Sequence, residues 1–168
     1  MTAVLRLGIL SDLHLGRTGQ GHWHNRLLYD SAEAVARAAV AALNGERLDA
    51  VYVLGDLTDA GTEAQLAQAR RILDGLSAPW FALPGNHDLP AVRSGTFQAA
   101  FAGHLPPALD GDRSVAIAAL AQDPTPADSS SAPALDEPLL ETLCARLERL
   151  RPAVLLVFSH QPLAPEPE

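Results

Sequence analysis

Four short apolar runs in this chain each stop at a residue able to bind a metal ion or move a proton, and no other feature narrows the fold as far. Val4–Leu10 stops at Ser11-Asp12-Leu13-His14, and Ala50–Leu54 stops at Gly55-Asp56. Trp80–Leu83 stops at Pro84-Gly85-Asn86-His87-Asp88, and Ala153–Phe158 stops at Ser159-His160. Short β-branched and leucine-rich runs fenced by turn residues read as buried strands. Between the first two lies Asp30-Ser31-Ala32-Glu33, a capping signal that predicts a helix running to Leu43 and ending at Asn44-Gly45. Thr62–Gln65 is a second capping box and predicts a helix to about Leu73. Strand, helix, strand, helix, strand predicts an α/β layered fold in one domain spanning residues 1–168. Ligands in α/β sheets bind at the carboxyl ends of strands, so the four ends are expected to meet at one site.

The rest of the chain is less patterned. A helix is expected over Gly95–Phe101 and a strand over Ser114–Leu120. Residues 122–134 are rich in Pro, Ser, Ala and Asp and read as a mobile surface loop. Asp136 then caps a helix with Pro138 in its first turn, striped by Leu139, Leu140, Leu143, Leu147 and Leu150 and ended by Pro152.

Asp, Asn and His together are oxygen and imidazole ligands of intermediate hardness, suited to Mn, Fe, Co, Ni or Zn rather than to thiolate chemistry. A carboxylate such as Asp56 can bridge two ions, because each oxygen has lone pairs for a different metal. Two ions roughly 3.5–4 Å apart are what an in-line phosphoryl displacement uses. Taken singly, each motif has a plain explanation: Asp56 as a turn residue, Gly85–Asp88 as a tight turn, His160 as a core histidine. Four such placements at four strand ends are much harder to assign to chance.

Composition sets outer bounds. The formal net charge of −8, with no Lys in the chain, argues against a protein that coats nucleic acid, since that needs a basic patch. A phosphate substrate stays open, because bound ions can supply positive charge locally. The single cysteine, Cys144, excludes a disulfide within the chain and reads as a small apolar residue on a helix face. No run has signal-peptide architecture or membrane-spanning length, so a soluble cytoplasmic protein without membrane partners is expected.

Ser11-Asp12-Leu13-His14, Gly55-Asp56, Gly85-Asn86-His87-Asp88 and the His-x-Pro of His160-Gln161-Pro162 resemble the sequence blocks of the calcineurin-like metallophosphoesterases. Their spacing is most similar to the class III cyclic nucleotide phosphodiesterases. The protein serine/threonine phosphatases fit poorly, because Leu57-Thr58-Asp59 stands where they carry an Arg-Gly pair and Asp88 where they usually carry Glu. The resemblance implies a layered β-sandwich flanked by helices. It implies two divalent or trivalent ions, the first held by Asp12 and His14, both bridged by Asp56, the second held by Asn86 and His160. Asp56, Asn86 and His87 would be the catalytic residues, with His87 protonating the leaving oxygen and Asn86 touching the phosphate. A metal-bridging hydroxide would be the nucleophile. The implied activity is hydrolysis of a phosphate ester, a phosphodiester first, with a cyclic nucleotide as the first substrate to try.

The family also carries a Gly-His-x-His block downstream of the position of His160, and the sequence ends at Glu168 without one. The expectation is therefore a domain lacking its C-terminal strands, with an unpaired sheet edge through which a homo-oligomer could form. Gly21-His22-Trp23-His24 spells the same block in the loop after the first strand, which makes His22 and His24 the weaker metal-ligand candidates. Two other functions follow from these departures: an inactive fragment that binds metal or a partner, and a nuclease of the same superfamily, against which the acidic balance argues.

Overall fold

The computed structural model describes residues 4–16, 31–121 and 137–161. Three strands, β1 (Leu7–Leu10), β2 (Ala50–Leu54) and β3 (Trp80–Leu83), form a parallel sheet in that order. Parallel neighbours require crossovers, and helices α1 (Ala32–Asn44) and α2 (Glu63–Leu73) supply them. Alternation along β2 shows how the layers are sorted. Val51 and Val53 join the helix-side core, while Ala50, Tyr52 and Leu54 join a second cluster on the other face.

That second cluster is where two sheets meet. The other sheet contains β4 (Leu109–Gly111), antiparallel to β5 (Val115–Leu120), which is parallel to β6 (Val154–Ser159). Ala119 of β5 and Phe158 of β6 pack against Tyr52 and Leu83 of the first sheet. On the outer face of the second sheet, Leu109, Ala116, Ala118 and Leu120 pack with Leu143 of α5 (Glu137–Leu150). The architecture is the expected layered sandwich: helices, sheet, sheet, helix.

The helix-covered face of the first sheet is the firmest part. Val51, Val53, Leu57, Leu66 and Leu73 are 0–1% exposed, and each such burial contributes roughly 1.5–3 kcal/mol. The Thr62 box forms as predicted, with Gln65 N–H donating to Thr62 Oγ1 and Thr62 N–H to Gln65 Oε1. At α1, Ser31 makes no side-chain capping bond, and the predicted cap Asp30 lies outside the described residues.

Several expectations are corrected. The helix expected over Gly95–Phe101 is α4 (Thr96–Ala100), but a further short helix, α3 (Leu89–Ser94), precedes it unexpected, and Gly95, whose φ is 79°, ends one and opens the other. β4 was not expected at all. Cys144 is exposed. The four chemistry-bearing strand ends come from two sheets, since β6 pairs with β5 and not with the first three strands. The expected mobile loop at 122–134, the Asp136 cap, and His22 and His24 lie outside the described residues.

Among the described residues β6 is paired on one side only, and Val154, Leu155 and Val157 are 41–48% exposed. No described helix is long and apolar enough to cross a membrane.

Candidate metal centre

The chain does not turn away immediately after β1 and β2. The two segments keep running side by side, with Asp12 N–H donating to Gly55 O, His14 N–H to Asp56 O and Leu15 N–H to Leu57 O. This lacing carries Asp12, His14 and Asp56 beyond the sheet while holding them at fixed separations. It also places all three in left-handed backbone, with φ of 56°, 42° and 50°. Such a conformation costs of order 1–3 kcal/mol in a non-glycine residue and persists only where the surroundings impose it. Of the four described non-glycine residues at positive φ, three are these candidate ligands.

Two glycines let the third and fourth strand ends close in. A Cβ on Gly55 would stand 2.5 Å from His160 Cγ and 2.8 Å from Gly85 Cα. One on Gly85 would stand 2.3 Å from Asp56 Oδ1. Asp56 and Asn86 therefore follow glycines because the backbones pass too closely there for any side chain.

A buried carboxylate locks the loops together. Asp88, fully buried, accepts from Leu57 N–H at 3.1 Å, Thr58 N–H at 3.0 Å, Thr58 Oγ1–H at 2.6 Å and Gly85 N–H at 3.0 Å. Burial pushes its carboxyl up, and these four bonds pull the other way without cancelling the rise.

Asp56 is the hub. Its Oδ1 accepts from His87 N–H at 2.9 Å, while Oδ2 lies 3.5 Å from His14 Nε2 and 3.4 Å from His160 Nε2. Burial raises the Asp56 carboxyl, but the His160 contact, the His87 amide and the charges of both imidazoles outweigh it, and the group lies below its ordinary value. For His160, burial lowers the imidazole, and the Asp56 carboxylate and the Leu54 carbonyl more than reverse this.

The ligand-type atoms fall into two clusters, Asp12–Asp56–His160 and His14–Asp56–His87, each with its atoms within 4.8 Å of one another. Asp56 belongs to both. Asn86 stands with the first, its Oδ1 3.1 Å from His160 Nε2 and accepting from Gln161 Nε2 at 2.8 Å. Asp12, grouped with His14 by sequence motif, has its Oδ1 3.8 Å from His14 Nε2 and also reaches the His160 cluster. His22 and His24 are not among the described residues, so only the six primary candidates are placed.

Three observations fit a metal. First, His160 Nδ1 lies 2.7 Å from Leu54 O, and an Nδ1–H donated there leaves the Nε2 lone pair facing two oxygens, Asn86 Oδ1 and Asp56 Oδ2. Three electron-rich atoms that converge in this way fit a shared metal ion, and a carbonyl behind the ring is the usual orienting partner of a ligating histidine. Second, separations of 3.4 and 3.5 Å are long for hydrogen bonds but close to the 3.0–3.5 Å, roughly, between ligands sharing an ion at bonds of about 2.1 Å. Third, His14 Nδ1 is buried without a hydrogen bond, its ring held edge-on to His87 at 4.7 Å between centroids.

Asp59, Asp88 and Gln161 stand within the quoted sequence blocks but were given no role in the site from the sequence. Asp59 O lies 2.8 Å from His87 Nδ1, and its Oδ1 lies 3.9 Å from Nδ1 of both His14 and His87. Its place three residues after Asp56 was the only available signal.

A family model for calcineurin-like phosphoesterases matches residues 5–163. A glycerophosphodiester phosphodiesterase of Enterobacter lignolyticus, GpdQ, is 41% identical over 86 residues, covering 49% of this chain and 29% of that protein. The match thus spans under a third of that relative's length. A dimetal phosphatase from Danio rerio shares the fold, with a TM-score of 0.68 at 18% identity over 96% of this chain and 71% of that one.

Proposed function

Because this chain belongs to the calcineurin-like phosphoesterase family, we propose that it hydrolyses phosphodiesters at a two-ion centre built on Asp56. The observation that carries the reading is the sharing of one buried carboxylate between two ligand clusters. Asp12 and His14 would hold one ion, Asn86 and His160 would hold the other, and Asp56 would touch both. Mn, Fe, Zn, Co and Ni all suit these donors. Ions bound there would supply Lewis-acid charge to a phosphoryl group and make water more acidic.

The protein's own residues have separable tasks. Asp56 is kept ionised by its partners and so stays available on both sides. Gln161 Nε2–H donates to Asn86 Oδ1, which fixes the amide so that Nδ2–H can face a phosphate oxygen. His87 donates Nδ1–H to Asp59 O, so its imidazolium form carries the second proton on Nε2 and can deliver it to the departing oxygen, returning to the neutral Nδ1–H ring. His87 therefore acts as a general acid here, although its position beside His14 and Asp56 also lets it serve as a ligand.

The relative sharing 41% identity is named a phosphodiesterase, which supports a diester over a monoester substrate. The test is a direct comparison of bis(p-nitrophenyl) phosphate with p-nitrophenyl phosphate in manganese. We expect kcat/KM to favour the diester by at least about tenfold, a transition-state difference of about 1.4 kcal/mol. A preference for the monoester would overturn the diester assignment and leave only the broader phosphoesterase reading. Cyclic nucleotides are the next diesters to try.

A further inference from the structure

Far from the metal centre, the β4–β5 hairpin and the last turns of α5 enclose a groove of about 330 Å³. Among the described residues its lining includes three arginines, Arg113, Arg146 and Arg149, with Leu109 and Leu150 and one carboxylate, Asp110. Three arginines lining one groove in a chain of net charge −8 is an uneven arrangement. Two other helix arginines show the contrast. Arg37 pairs with Glu33 and Arg70 with Asp74, each at i,i+4. Arg146 and Arg149 are instead like-charged neighbours at i,i+3, with Thr142 and Ala145 four residues before them and Leu150 and Ala153 four after. Such spacing repels where the former attracts.

The groove is held rigidly. Arg146 Nη2–H donates to Leu109 O at 3.2 Å, which draws its guanidinium across β4. Arg113 sits in a turn where Asp112 Oδ1 accepts from Ser114 and Val115 N–H, and Arg113 O accepts from Ala153 N–H at the start of β6. The turn cannot relax to separate the charges. It also lies at the beginning of β5 and β6, whereas His160 follows the end of β6. Six-residue strands separate the two places by roughly 16 Å.

We propose that this groove is a second anion-binding site, independent of the metal centre, and that it takes a phosphate-class oxyanion. Guanidinium forks match phosphate oxygens in pairs, and bound negative charge would remove the repulsion among the three arginines.

The test is calorimetric titration of the metal-stripped chain with inorganic pyrophosphate at low salt. The wild-type chain is expected to show one saturable site. Asp56→Ala should leave it unchanged, and the double variant Arg146→Gln/Arg149→Gln should weaken it by at least about tenfold. Arg146→Lys, which keeps the charge and loses the fork, should fall between. Unaltered melting temperatures in the arginine variants would show that the loss is local, as expected for exposed side chains. Absence of saturable binding would overturn the proposal. So would binding that survives the double variant and vanishes with Asp56→Ala, which would place the anion at the metal centre. Tighter binding of citrate than of pyrophosphate would overturn the phosphate assignment.

Discussion

Asp88→Ala is expected to lower the free energy of unfolding by about 3–5 kcal/mol, a large share of the 5–15 kcal/mol typical of a domain. The carboxylate accepts three backbone N–H groups and the Thr58 hydroxyl, and none of these donors has water as a ready substitute, because Asp88 and Thr58 are fully buried. Each buried donor left without an acceptor costs about 1–3 kcal/mol, and local relaxation recovers part of the sum. Asn is no remedy despite its shape. Its one oxygen can serve either the Thr58 pair or the Leu57 and Gly85 pair, and its NH₂ then faces donors. Urea unfolding checks this: the midpoint should fall sharply in both variants with little change in slope, further in Ala than in Asn. A loss below about 1 kcal/mol in Asp88→Ala would mean that the loops find other acceptors and that Asp88 is not their lock.

Gly85→Ala adds one methyl group and is expected to remove metal binding. The new Cβ would stand 2.3 Å from Asp56 Oδ1 and 2.4 Å from Asp56 N. The second contact is to backbone, so no side-chain rotation relieves it. Either the third loop retreats or Asp56 moves, and in both cases the carboxylate leaves the point shared by the two clusters. Gly85 has an ordinary extended φ of −105°, so the residue is required by proximity and not by backbone conformation. Overpacking of this kind costs about 1–3 kcal/mol in stability. Metal affinity should suffer more than stability. Ion titration and thermal melting on the same variant separate the two, and retained wild-type affinity would show that the loops are looser than their packing indicates.

The strand-end logic was legible because the chemistry interrupts apolar runs. Asp12, Asp56 and Asn86 stand where Leu-rich or β-branched segments stop, and the crossover helices announce themselves through Thr62–Gln65 and the alanine-rich stretch after Ser31. What failed to show was whatever depends on contacts across the chain. Asp88 reads as one more acid in a turn; its function lies in Leu57 and Thr58, about thirty residues earlier. β4 is three residues with no alternation, visible only once β5 pairs with it. α3 was hidden by Pro90, which belongs to its first turn but reads equally as a break. His160 was correctly placed at a strand end, yet nothing in periodicity assigns that strand to a second sheet. Grouping ligands by motif also leaves out contacts made in space, since Asp12 lies near His14 and reaches the His160 cluster as well.

The central claim is that one carboxylate organises two metal positions. The most direct test is to load the chain with manganese, and separately with zinc, remove excess ion, and count what stays bound in wild type and in Asp56→Ala. Two ions per chain in wild type, with both weakened or lost together in Asp56→Ala, is the predicted result. A single ion in wild type, or loss of only one on removing Asp56, would contradict the shared centre and reduce the site to a mononuclear one.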